Sequence, residues 1–164
     1  ELKDVSKMTD KDYTPGGMTA LLDAVGRTIH KMDMVAGIHR KDKGNKVLFV
    51  IITDGEENDS KEYTYADVKK LIKDRQENAG WEFIFLGANI DAAAAAENLG
   101  IGRDRAVKYK NTGSGVRANF KAVAELSDSL AKSGRVSDEW KETVEKDEDD
   151  AADKQSAAVT LHRR

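Results

Sequence analysis

The stretch Lys46 to Ser60, KVLFVIITDGEENDS, constrains the fold more than any other part of the chain. A continuous apolar run, Val47 to Ile52, stops at Thr53, Asp54 and Gly55 and gives way to Glu56, Glu57, Asn58 and Asp59. A short Val- and Ile-rich run of this kind predicts a strand buried on both faces, as in a parallel sheet. Such a strand delivers its C-terminal loop to the rim where open α/β sheets bind ligands. A loop so rich in oxygen donors suits a hard cation such as Mg²⁺. The plainer reading is that Asp54-Gly55 turns the chain and the acids keep the loop solvated.

The flanking patterns extend the α/β expectation. Leu21, Leu22, Val25, Ile29, Met32 and Ala36 recur at helical spacing after the breaker cluster Thr14, Pro15, Gly16 and Gly17. Thr64 and Asp67 form a T-x-x-D start, close to a capping box, for a helix that buries Tyr65, Val68, Leu71 and Ile72 and closes at Gly80. Trp81 to Leu86 reads as a second strand. Gly87, Ala88 and Asn89 turn the chain, and Asp91 caps an Ala-rich helix, Ala92 to Leu99. Arg105 to Tyr109 is a weaker strand. The last helix follows Gly113, Ser114 and Gly115, with the stripe Val116, Phe120, Val123, Leu126 and Leu130. Alternating helices and strands imply a parallel sheet with helices on both faces, a three-layer, doubly wound α/β fold.

Past Gly134 the composition changes. Residues 1–136 read as the α/β domain and residues 137–164 as an acidic, solvated tail, although Trp140 and Val144 can still pack on the domain. The net charge of −3 and pI near 5.7 offer no field for nucleic acid or an anionic membrane. With no cysteine, disulfides, thiolate metal sites and cysteine catalysis are excluded. No apolar run approaches the roughly 20 residues that span a bilayer. The opening residues have no secretory pattern, so the expected location is cytoplasmic. The scattered His30, His39 and His162 show no zinc-type spacing. Ser114 lacks a Walker context and is read as part of a helix cap.

Two loops, Tyr13 to Thr19 (YTPGGMT) and Thr53 to Asn58 (TDGEEN), together resemble the von Willebrand factor A family. The Leu21-Leu22-Asp23-Ala24 helix start and the WEFIFLGAN segment fit as well, so the resemblance covers Tyr13 to Trp140. It implies a Rossmann-like sheet, a protein-binding rather than catalytic role, and a metal-ion-dependent adhesion site. By the resemblance, Thr19 of the Gly16-Gly17-Met18-Thr19 loop gives a hydroxyl to Mg²⁺ or Mn²⁺. Asp54 gives a carboxylate, often through water. Gly17 and Gly55 let backbone approach closely, while Glu57 and Asn58 shape the rim. The partner is then a protein presenting an acidic residue as the ion's last ligand.

The family's Asp-x-Ser-x-Ser loop does not occur in these residues. The chain is therefore expected to be the C-terminal part of such a domain, with an incomplete metal site. The strand ending at Asp54 is expected to stand at an edge and to pair with a missing N-terminal segment or another chain. Two rivals remain. Asp54 with Glu56 resembles the acidic pair of Mg²⁺-dependent haloacid-dehalogenase phosphatases, although that family prefers Asp at the second position. Alternatively, the domain is a structural remnant without a working metal site.

Overall fold

The computed structural model describes Thr9, residues 17–38 and residues 46–146. Gly16 and the rest of the Tyr13-to-Gly16 loop, and the acidic residues from 147 onward, lie outside the described residues. The elements run α1 (Leu21–Ile38), β1 (Leu48–Thr53), α2 (Tyr65–Ala79), β2 (Glu82–Gly87), α3 (Ala92–Asn98), a 3₁₀ turn (Arg103–Arg105), β3 (Ala106–Lys108) and α4 (Gly113–Ser133). A further helix, α5, covers 140–146. The fold is mixed α/β. Among the described residues, the sheet has three strands in the order β1-β2-β3, all parallel. No helix among them is long and apolar enough to cross a membrane.

Strand β2 organises the packing. Phe83 and Phe85 point into one core with Leu22, Val25 and Ile29 of α1, Val68 and Ile72 of α2, and Ala92 and Ala96 of α3. Ile84 and Leu86 point into a second core with Val107, Leu126, Leu130, Trp140 and Val144. Since neighbouring strand residues face opposite ways, the two cores lie on opposite faces of the sheet. The strand buried on both faces is thus β2. Among the described residues β1 pairs only with β2 and stands at the edge of the sheet, and Ile52 is 44% exposed. Val47, Phe49 and Ile51 pack on one core and Leu48 and Val50 on the other, but most of these side chains are only partly buried and Ile52 is exposed, which narrows the expectation of a strand buried on both faces for Val47 to Ile52.

Helix ends follow the local chemistry. Thr64 and Asp67 form a reciprocal capping box on α2, and Gly80 closes it in the left-handed conformation at φ 65°. Asp91 caps α3 by accepting the Ala94 N–H. The cap of α4 is Thr112, whose hydroxyl accepts the Gly115 N–H at 3.1 Å; Ser114 is not the cap and only meets the Thr112 hydroxyl. Gly115 is required by a close approach, because a Cβ there would lie 2.0 Å from the Lys110 carbonyl oxygen.

Two features depart from the sequence pattern. The first turns of α4 bury Gly115, Asn119 and Ala122, while Val116 and Phe120 stay exposed. The helix sits close to the sheet through small residues, and this rotates its larger apolar side chains outward. Residues 137–146 are also part of the packed body. Trp140 and Val144 are buried, the Ser137 N–H donates to Ser129, and Thr143 donates to Glu125.

Candidate functional site

The loop after β1 is tied to the start of α1 by two carboxylates. Glu57 accepts the Leu22 N–H at 2.9 Å in the first turn of α1, and within its own loop the N–H groups of Asp59 at 3.0 Å and Ser60 at 2.7 Å. The Ser60 hydroxyl donates to it as well, at 2.7 Å. Desolvation acts to raise the Glu57 pKa, but these donated bonds outweigh it and hold the group below the ordinary range. Its place at a helix N-terminus suits a negative charge.

Asp23 answers from the helix. Its carboxylate accepts the N–H groups of Lys61 at 3.0 Å, Glu62 at 2.9 Å and Tyr63 at 3.0 Å, while its own N–H donates to the Ser60 hydroxyl. The Lys61 bond leads in depressing its pKa; desolvation opposes it, and the Glu62 and Tyr63 bonds and the Arg27 charge add to the lowering. Gly26 lies under the same loop, with the Tyr63 ring 2.6 Å from where a Cβ would stand.

This double staple positions Thr19. Its N–H donates to Asn58 Oδ1 at 2.7 Å, and its carbonyl accepts the N–H groups of Asn58 and Asp59 at 3.0 and 3.3 Å. Its hydroxyl lies 3.6 Å from the position of a Cβ on Gly55. Thr19 and Asp54 line the same open cleft at the C-terminal end of β1, together with Met18, Leu21, Ile52 and Tyr109. The expected metal-ligating pair, from loops far apart in sequence, therefore shares one cleft. Asp54 is exposed, and its Oδ2 accepts only a long contact from Asn111 at 3.4 Å among the described residues. Asn89, at φ 59°, donates to the Asp54 carbonyl at 3.3 Å and holds the turn.

The four rim positions fare differently. Asn58 sits beside Thr19 and fixes its backbone. The Glu57 carboxylate is engaged by the staple, so its place is inside the loop. Gly17 needs no close approach, since a Cβ there would meet nothing within 4 Å, and Gly55 would make only ordinary contact. The rival acidic pair is split: Asp54 faces the cleft with Thr19, whereas Glu56 lines grooves toward Ile90 and Asp91.

Asp23, Ser60, Tyr109 and Asn111 are the contributors that sequence reasoning missed. Tyr109 is buried, and desolvation followed by the Asp54 charge pushes its hydroxyl pKa up, so it remains a neutral donor. Asp23 had a signal in the polar run at Asn58 to Lys61, whose N–H groups need acceptors once the loop folds back. Tyr109 and Asn111 had none, because they reach the cleft only through the order of the strands.

Among the described residues, no group of three or more His, Asp or Glu gathers as a metal cluster. An ion in this cleft would be held by one hydroxyl and one carboxylate, with water or groups outside the described residues completing it. This oxygen-only set fits Mg²⁺ or Mn²⁺ in kind. Comparison with protein-family models, curated proteins and solved structures finds no match.

Proposed function

We propose that the chain is a protein-binding module of von Willebrand A type. Its cleft beside the end of β1 would take a divalent cation and, through it, a carboxylate of a partner protein. The observation that carries the reading is the placement of Thr19 and Asp54 in one open cleft, with Thr19 held by Asn58. Thr19 would give a hydroxyl and Asp54 a carboxylate. The bound ion would supply an electron-poor centre able to accept an acidic side chain. Tyr109 and Asn111 keep Asp54 company on the sheet side and offer neutral donors. No part of this reading needs a bond to be made or broken, and the role is binding rather than catalysis.

The doubly wound, Rossmann-like architecture belongs to the same proposal.

The test is Mg²⁺ and Mn²⁺ titration of the native chain, of Thr19→Ala and of Asp54→Asn, read by amide chemical shifts around Thr19, Gly55 and Tyr109. Saturable shifts at those residues are expected in the native chain and lost in both variants. Shifts that persist unchanged in both variants would place the ion elsewhere and end the reading.

A further inference from the structure

The outer edge of β1 is open among the described residues. The Val47 and Thr53 carbonyls accept bonds from Glu82 and Ala88, on the β2 side. Alternate residues of a strand turn their backbone groups to opposite sides, so Leu48, Val50 and Ile52 present N–H and C=O groups outward. An uncharged edge of this kind is a template for pairing with another strand.

The apolar surface continues beyond that edge on α4. The Glu125 and Ser129 flank of α4 meets Thr143 and Ser137. That segment is anchored near β3, because Asp138 pairs with Arg105 and Lys141 donates to the Arg103 carbonyl. At about 100° per residue, Val116, Phe120 and Val123 fall on the opposite flank, toward the open side of β1. Phe120 is 66% exposed there and Val116 38%.

We propose that β1 pairs antiparallel with β1 of a second copy of this chain, about a two-fold axis through Val50, with Lys46 of each copy opposite Asp54 of the other. The residues that face outward all have the same parity, as this register requires. Leu48 then faces Ile52 and Val50 faces its own copy, so each facing pair can exchange two backbone bonds. Both charged ends of the strand, Lys46 and Asp54, are exposed and meet their opposites. The two-fold axis stands perpendicular to the sheet, which brings the Val116, Phe120 and Val123 flanks of both α4 helices to the same face of the joined sheet. A self-complementary contact of this kind closes as a dimer. It goes beyond the metal-site proposal and does not depend on it.

Sedimentation equilibrium in a chelator-containing buffer tests the pairing, with circular dichroism as the check on folding. The native chain is expected to dimerise. Lys46→Glu and Asp54→Lys alone each set like charges opposite one another and weaken the dimer by at least about tenfold, the change that 1.4 kcal/mol produces. An equimolar mixture of the two variants restores it, because each altered charge then meets its complement. Ile52→Lys, at an exposed edge position, abolishes the dimer if either charge variant fails to fold. A native chain that stays monomeric, including one that instead captures a strand of another polypeptide, overturns the proposal. So does a dimer indifferent to these changes, or a mixture no tighter than its components.

Discussion

Asp23 and Glu57 give their oxygens to backbone N–H groups, and acid should weaken the fold through them, whereas the exposed Asp54 carboxylate meets only Asn111 among the described residues. Asp23 and Glu57 both titrate lower in the folded chain than in the unfolded one. Between the two values the unfolded state binds more protons. Their stabilisation is therefore complete above the ordinary carboxylate range near ~4 and is lost as pH falls toward the depressed folded values. Thermal melts from neutral to acid pH should show this fall, and Asp23→Asn should flatten it. Glu57→Gln loses charge-assisted bonds to the Leu22, Asp59 and Ser60 N–H groups. It should cost about 1–2 kcal/mol in urea denaturation, a figure reduced for the partial exposure of the group. Asp54→Asn, at an exposed position, should leave the urea midpoint of the dilute, monomeric chain unchanged, so cleft and scaffold acids are told apart by monomer stability. The family resemblance put Asp54 at the metal and Glu57 at the rim, but the scaffold role of Glu57 was not legible, because the donors that engage it include an N–H from a helix 35 residues away.

The elements that were legible are those whose signals are local. The α2 capping box stands in Thr64 and Asp67 themselves, and the buried face of α1 follows from Leu22, Val25 and Ile29 at helical spacing. Helix α4 was misread because hydrophobicity does not reveal how closely a helix approaches a sheet. Gly115 and Ala122 allow close contact, and Val116 and Phe120 are displaced outward as a result. The same rotation buries Asn119 at 1% exposure with neither amide atom hydrogen-bonded among the described residues. A buried amide without partners is destabilising, and an apolar side chain of similar shape removes the penalty. Asn119→Leu should therefore raise the unfolding free energy by about 1–2 kcal/mol in chemical denaturation. A loss of similar size would mean that the amide is satisfied in solution. At the start of the same helix, Thr112→Ala removes the acceptor for the Gly115 N–H and should cost about 1 kcal/mol.

At the scale of the molecule, the sheet separates two cores, and the second is closed by residues whose composition suggested a solvated tail. The acidic run 137–146 is polar in sum, yet its two apolar residues, Trp140 and Val144, are each only 2% exposed. They stand four residues apart on α5 and pack against the β2 face that carries Ile84 and Leu86. Average charge hid this arrangement, because one apolar side chain per helical turn is enough to dock a short helix on an existing core. Asp138 and Lys141 fasten the same segment to Arg105 and to the Arg103 carbonyl, so α5 also covers the approach to β3. Trp140→Ala should cost about 3–5 kcal/mol, the range for emptying a buried Trp site. A whole domain is stable by only about 5–15 kcal/mol, so a chain cut after residue 136, which loses Trp140, Val144 and both fastenings together, should melt broadly or not fold. A chain cut after residue 146 should keep the cooperative transition of the full sequence. Paired thermal melts of the two truncations decide the point: equal transitions would mean that α5 adds nothing to the second core in solution, while loss confined to the shorter chain would extend the cooperative unit through residue 146.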